Sequence, residues 1–304
     1  MRTFRNLATA GALIAYALAL LGSWTRINGA GMTCPDWPLC RGAVVPVLHG
    51  GVVFEWTHRA LAGVETLVVI ATIAAGWRLG KQIPGLRGLL VALAAIFVLQ
   101  IALGGITIFQ ANSPLSVTFH WGVAMLLLTT FTVLVIVALA AQQGLAWVFA
   151  LRRGTVWVGI AAIVAYATMC AGALVSSSGA GLACPVFPSC GDTFWGQGIP
   201  QTLQMTHRLL AATLVAFALA AALALPPRTP AATALRVALA LLALQVVLGV
   251  LNVRFALPPL LREAHAANAV ATFVAFLTAT VLSALAPSGE PTARAQSRSR
   301  LQPN

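Results

Sequence analysis

Four of the chain's five histidines could ligate a metal as two matched pairs. His58, His120, His207 and His265 each stand at the start of a long apolar segment, at matching depth. Neutral imidazole is the usual protein ligand for haem iron. Two histidines on facing helices with a planar macrocycle between them form a bis-histidine site, so four predict two such sites. Four interfacial histidines without a cofactor are the plainer alternative; it would prevail for one histidine, but not for four in register. Zinc fits less well, because no place gathers the three or four ligands it needs. His49 lies in the first outer loop without a counterpart and reads as a solvated loop residue.

The few acids sharpen the picture. Glu55 stands three residues before His58, whereas Gln204 stands three residues before His207. The sites are thus alike in ligands and unlike in a titratable group, which assigns chemistry to the first and support to the second. The competing account of Glu55 is an acid stabilised by a helix N-terminus. Glu65 lies seven residues beyond His58 and deeper in the same segment. A carboxyl there is costly unless functional or paired; it is either a proton relay or a bond to a neighbouring helix, and the second is preferred. Arg59 and Arg208 each follow a histidine, suited to grip a haem carboxylate bidentately or to anchor the segment by snorkelling; both can hold at once.

Cys34 and Cys40 fall in one outer loop, Cys184 and Cys190 in another. On an oxidising outer face each pair should form a disulfide. It is either a staple over the haem pocket, the preferred reading, or a redox pair that exchanges with a thiol carrier. Pro35-Asp36-Trp37-Pro38 and Pro185-Val186-Phe187-Pro188 make these loops stiff and aromatic, suited to cover a hydrophobic cofactor. Cys170 stands alone in an apolar segment and reads as a small packing residue.

These residues are positioned by a membrane scaffold. The chain is 60% hydrophobic and only 8% charged, a balance that excludes a soluble domain. Eight apolar stretches are long enough to span a bilayer, at about 7–25, 57–77, 88–109, 117–141, 155–175, 203–225, 235–254 and 264–286. The first follows Arg2 and Arg5 but lacks a convincing signal cleavage site and has a counterpart later, so it counts as a true span. Arg2, Arg5, Arg78, Lys81, Arg87, Arg152, Arg153, Arg228 and Arg236 share one side with the tail arginines Arg294, Arg298 and Arg300. The other side has Arg26, Arg41, Arg254 and Arg262. The positive-inside rule then places both termini in the cytoplasm and the histidines toward the outer face. The net charge of +12 is therefore mostly a topology signal, too dispersed for a nucleic-acid surface.

The chain also repeats itself. Gly29-Ala30-Gly31-Met32-Thr33-Cys34-Pro35 returns 150 residues later as Gly179-Ala180-Gly181-Leu182-Ala183-Cys184-Pro185. Thr57-His58-Arg59 returns after 149 residues as Thr206-His207-Arg208; Gln100, Gly104 and His120 return after 145 as Gln245, Gly249 and His265. An even number of spans per unit means that both copies insert the same way up, giving a parallel repeat. The expectation is an all-α integral membrane protein: eight transmembrane helices in two pseudo-two-fold-related four-helix bundles, 1–150 and 151–286. A basic tail, 287–304, is expected to be disordered.

Taken together, Gly29–Cys40, Glu55-Trp56-Thr57-His58-Arg59, Phe119-His120-Trp121-Gly122, Thr206-His207-Arg208 and Ala264-His265 resemble the haem A synthase family, over about residues 7–286. The resemblance implies conversion of haem O to haem A for terminal oxidases, by oxidising a peripheral methyl group to a formyl group through a hydroxylated intermediate. It also implies that His207 and His265 hold a haem b cofactor, that His58 and His120 bind the substrate haem, and that Glu55 matters for catalysis. Cys34 and Cys40 match the family's loop pair; Cys184 and Cys190 are a variation. Implied partners are haem O, possible contacts with a haem O synthase and a terminal oxidase, and an electron donor the residues do not name. Iron with histidine on both faces has no open position for oxygen. Either His58 or His120 must then dissociate, or oxidation must run by electron transfer with Glu55 moving protons. The rival readings are a di-haem b electron-transfer protein, which predicts equivalent sites, and a thiol oxidase, which leaves the histidines unexplained.

Overall fold

The computed structural model describes residues 1–147 and 152–287. It contains eight helices: α1 (Arg2–Ile27), α2 (Gly51–Trp77), α3 (Leu86–Phe109), α4 (Pro114–Gln142), α5 (Arg153–Ser177), α6 (Ile199–Ala224), α7 (Pro230–Arg254) and α8 (Pro259–Ser283). All eight are long and apolar enough to cross a membrane. The only strands among the described residues, β1 (Leu145–Trp147) and β2 (Leu285–Pro287), pair antiparallel and tie the ends of α4 and α8 together. Apart from Pro287, the tail expected to be disordered lies outside the described residues.

The helices are longer than the apolar stretches that announce them. They run from 24 residues in α3 to 29 in α4, which at about 1.5 Å per residue exceeds a hydrocarbon core of about 30 Å. The excess lies mostly at the loop-bearing end. α2 begins at Gly51 rather than near 57, and α6 at Ile199 rather than near 203. The histidines therefore stand about two turns inside their helices, six to eight residues from the first, and not in the first turn. Glu55 is the fifth residue of α2, just past the orphan N–H groups of its first turn. Residues 51–56 mix Glu55 and Trp56 with valines, so hydropathy alone places the span's start too late.

The helices associate through small residues, as helices in lipid must when no water drives them together. Ala161, Ala218, Ala238 and Ala279 are wholly buried in the core of the second half. At Gly11 a methyl group would fall 2.2 Å from the Phe131 ring, so α1 and α4 meet where no side chain fits. The opposite faces carry exposed Leu13, Leu67, Ile163 and Leu223, the surface expected to meet acyl chains.

Helix neighbours follow the same pattern in α1–α4 and α5–α8, and α1, α4, α5 and α8 form the seam between halves. The seam carries reciprocal bonds. The Tyr16 hydroxyl donates to the Ala267 carbonyl at 3.2 Å, and the Tyr166 hydroxyl to the Gly122 carbonyl at 3.2 Å. Tyr166 is the repeat mate of Tyr16, and Gly122 that of Ala267, as a two-fold relation requires. Arg26 donates to Ser176, its own repeat mate, through Nη1 to Oγ at 3.0 Å and Nη2 to the carbonyl at 2.8 Å.

Candidate functional site

Each histidine ring lies over a glycine on the preceding helix. A methyl at Gly22 would sit 3.1 Å from His58 Cε1, at Gly104 3.3 Å from His120, at Gly172 2.9 Å from His207 and at Gly249 3.2 Å from His265. The bare backbone is what lets the imidazole lie flat against the neighbouring helix. Gly104 and Gly249 stand out in the repeat, but Gly22 and Gly172 are missed by sequence reasoning. Their signal was an offset of 150 residues, hidden among alanines and leucines.

In the second half the two rings meet edge to face, with centroids 6.5 Å apart and planes at 70°. Two metal–imidazole bonds of about 2.0–2.1 Å, plus half a ring at each end, span roughly 6 Å. The spacing therefore admits one metal atom between the rings. His207 Nδ1 lies 3.0 Å from the Thr168 carbonyl. A carbonyl only accepts, so Nδ1 carries the proton and Nε2 keeps its lone pair for a ligand bond. The Gln245 amide nitrogen lies within 3.2 Å of both His265 ring nitrogens and donates to the His265 carbonyl at 3.1 Å. Gln245 Oε1 accepts from Asn268 Nδ2 at 2.8 Å, which fixes the amide.

The first half has the same frame with fewer bonds. Gln100 Nε2 lies 3.4 Å from His120 Nε2. His58 Nδ1, His120 Nδ1 and Gln100 Oε1 are buried without a hydrogen-bond partner among the described residues. The Leu18 carbonyl, repeat mate of that of Thr168, lies beside the His58 ring and the Gln100 carbonyl beside the His120 ring, in looser geometry than the Thr168–His207 bond. Both oxygens of Glu65 are also unpartnered. The expected bond from Glu65 to a neighbouring helix is therefore not found among the described residues.

The outer loops are held by the residues beside the histidines. Cys34–Cys40 and Cys184–Cys190 form disulfides. Glu55 Oε2 accepts from the Cys34 backbone N–H and the Thr33 hydroxyl, both at 2.9 Å. Gln204 Oε1 accepts from the Cys184 N–H at 2.6 Å, and its amide donates to Gly181 at 2.9 Å. Glu55 and Gln204 thus occupy one structural post, and the carboxylate adds an ion pair with Arg59 at 2.6 Å. Arg59 also donates to the carbonyls of Asp36, Leu39 and Cys34. Arg208 donates to those of Val186, Pro188, Ser189 and Cys184. The guanidinium forks offered by sequence to haem carboxylates are here taken up by loop carbonyls. Trp37 packs over α3, its ring 3.3 Å from a methyl placed at Gly105, beside the glycine beneath His120. His49 contributes to neither histidine pair. Cys170 is the free cysteine among the described residues and is partly buried.

Asp36 is the carboxyl of the first outer loop, outside the spans. Asp36 accepts backbone N–H bonds from Gly42 at 2.8 Å and Arg41 at 2.6 Å. These bonds, the Gly42 one first, hold its carboxyl below the ordinary range.

Fold and site together define a multi-pass helical membrane protein whose two halves each present a histidine pair beneath a disulfide-closed loop. The chain belongs to the Cytochrome oxidase assembly protein family, whose model matches residues 5–277. It is similar to the Heme A synthase of Bacillus licheniformis, 29% identical over 228 residues, 71% of this chain and 75% of that protein. It is 28% identical to the Heme A synthase of Symbiobacterium thermophilum over 230 residues, 72% of this chain and 74% of that protein. A shorter match joins it to the Protoheme IX farnesyltransferase of Haloarcula marismortui, 34% identical over 114 residues, 38% of this chain and 24% of that protein.

Proposed function

We propose that this chain is a haem A synthase, an oxidoreductase that converts a peripheral methyl group of haem O to a formyl group. The N-terminal half, 1–150, takes the substrate haem between His58 and His120, and the C-terminal half, 151–286, holds a haem b cofactor between His207 and His265. The observation that carries the division is unequal hydrogen bonding. The second-half rings have more partners: the Thr168 carbonyl holds His207 Nδ1 and Gln245, fixed by Asn268, lies against His265, although Glu263 Oε2 and Asn252 Oδ1 lack partners among the described residues. Around His58 and His120 several buried polar atoms lack partners. A fuller shell suits a resident cofactor, whereas unmet groups suit a guest that completes them and leaves.

The haem b, when bound, supplies a redox centre within the same membrane protein. The chain's own residues orient and enclose. Thr168 fixes the His207 tautomer, and Gln245 with Asn268 fixes the position of His265. Arg59 clamps the first disulfide loop over α2, and Trp37 carries that loop onto α3, which excludes water from the substrate side. Glu55 is the carboxyl group nearest His58 in sequence, and its second-half counterpart is an amide. It holds or releases a proton at Oε1 or Oε2 as the methyl group loses hydrogen.

The protein lies in the cytoplasmic membrane of a prokaryote, with both termini cytoplasmic and the histidine pairs toward the outer face. Haem O comes from a farnesyl-transferring synthase. The product goes to a terminal oxidase.

The test is to express the chain in a bacterial host together with a haem O synthase and a competent electron donor. Extracted haems are separated by chromatography and identified by mass spectrometry. Haem A or its hydroxylated intermediate, found only with this chain, is the expected result. Haem B and unconverted haem O alone, from folded and haem-loaded protein, would replace this reading with a di-haem electron-transfer protein.

A further inference from the structure

Glu65 is wholly buried, at 0% exposure, and neither carboxyl oxygen has a hydrogen-bond partner among the described residues. Its repeat mate, 149 residues on, is Leu214, which is 4% exposed and packs in the core of the second half. The fold thus accepts leucine at this post, and the first half has a carboxyl there instead. Burying an unpartnered carboxyl in a membrane span is costly, and nothing within the described residues offsets it. A ligand group that reaches this post would offset it.

Position narrows what that is. Seven residues separate His58 from Glu65, two helical turns, so both side chains leave the same face of α2. Glu65 lies about 10 Å further from the loop-bearing end. A haem carries its two carboxylates on one edge, and these seek the aqueous end of the helices. The opposite edge then points along α2 toward Glu65. In haem O that edge bears a hydroxylated isoprenoid arm; in haem B it bears a vinyl group, which neither donates nor accepts.

We propose that Glu65 is a specificity-determining residue: as a neutral carboxylic acid, it hydrogen-bonds the hydroxyl on the membrane-directed edge of the haem held by His58 and His120. The proposal rests on the reading of that pair as the substrate site. A protonated carboxyl has one donor and spare acceptor capacity, matching a hydroxyl on both counts. A site built around a substrate hydroxyl rejects the analogue lacking it, because its own polar group is left unpaired. Leucine in the second half makes no such demand, in keeping with a cofactor without that hydroxyl.

The full chain is purified from a host producing both haem B and haem O, as wild type, Glu65→Leu, Glu65→Gln and His58→Ala. Extracted haems are quantified, and the first-half haem is taken as the amount lost in His58→Ala. Glu65→Leu should lower the ratio of haem O-derived pigment to haem B in that fraction by about tenfold or more, with total haem per chain and the absorption spectrum unchanged. Glu65→Gln, which keeps a donor and an acceptor, should stay closer to wild type. An unchanged ratio in Glu65→Leu, or equal loss of both haems, overturns the proposal, the second by making Glu65 a packing residue. A His58→Ala chain that keeps all its haem O overturns the substrate-site reading itself, whatever Glu65 does.

Discussion

Gly172 lies directly beneath His207: a methyl group added to it would sit 2.9 Å from Cε1 of the imidazole. This is the tightest of the four glycine–histidine contacts, and the Thr168 carbonyl that holds Nδ1 is one turn away on the same helix. Gly172→Val should therefore push the ring off its seat and strain the Thr168 bond. The expected outcome is loss of haem b from the second half by about tenfold or more, as for disrupted outer-shell contacts, in a chain that still inserts. Pyridine haemochrome content per chain, set against His207→Ala, checks it. Full haem content would show that the ring can lean away at little cost.

Gln245 is the hub of the second-half shell. It touches both ring nitrogens and the carbonyl of His265 and is itself fixed by Asn268. Gln245→Leu removes these contacts and leaves Asn268 Nδ2 with the Leu241 carbonyl. Haem affinity in that half should fall about 10- to 100-fold. The equivalent Gln100→Leu removes only one long contact to His120, at 3.4 Å. It should weaken first-half binding less. Haem titration of each variant compares the two, and equal effects would remove the basis for treating the halves as unlike.

The first outer loop should loosen in acid while the second does not. The Asp36 carboxylate accepts from Gly42 and Arg41, and its mate in the second loop is Val186. Its carboxyl is held below the ordinary range in the folded chain. The stabilisation is thus complete above the unfolded value near 3.9 and is lost as pH falls through the lowered folded value. Hydrogen exchange, corrected for its intrinsic pH dependence, should show falling protection at residues 36–42 but not at 186–192. Equal change in both loops would separate this effect from Asp36.

Much of this architecture was legible because Cys, His, Gln and Gly in register are improbable inside Leu/Ala segments. The repeat and both cysteine pairs follow from that, and the eight spans from the length of the apolar stretches. What stayed hidden was direction. Sequence places Arg59 beside His58 but cannot say that its guanidinium turns back to the Cys34–Cys40 loop rather than toward a haem carboxylate. Gly22 and Gly172 look like composition until the rings above them are seen. Glu65 suggested a bond to another helix, and only packing reveals two unpartnered oxygens.

The seam between halves should respond symmetrically. Tyr16 and Tyr166 make equivalent hydroxyl-to-carbonyl bonds, each 3.2 Å long. Hydrogen bonds between helices in membranes average about 0.6 kcal/mol, so Tyr16→Phe and Tyr166→Phe should each cost about that much. The two sites share no partner, so the double variant should cost their sum. Denaturant unfolding in mixed micelles measures this. A much larger loss in only one single variant would mean that the seam is not symmetric in energy, whatever its geometry.

Glu55 poses the sharpest question, because its geometry alone explains it as a loop organiser. Its carboxylate takes the Cys34 N–H, the Thr33 hydroxyl and the Arg59 guanidinium. Gln204 shows what glutamine can do at the same post: its amide oxygen takes the Cys184 N–H and its amide nitrogen reaches Gly181. Glu55→Gln should therefore keep the loop, the disulfide and the haem in both halves. The amide nitrogen, which only donates, replaces the oxygen that accepts from Arg59, so the ion pair is lost while Arg59 keeps its loop carbonyls, at a cost of about 1–3 kcal/mol. If Glu55 handles protons, haem A formation stops in this variant although the fold stands. Glu55→Ala cannot make that separation, since it also leaves the buried Cys34 N–H unpartnered, at about 1–3 kcal/mol. Thermal unfolding and haem content establish that the glutamine variant is intact, and extracted product then decides. Normal haem A from intact Glu55→Gln would return the residue to a structural role and leave the proton path to be sought elsewhere in the first half.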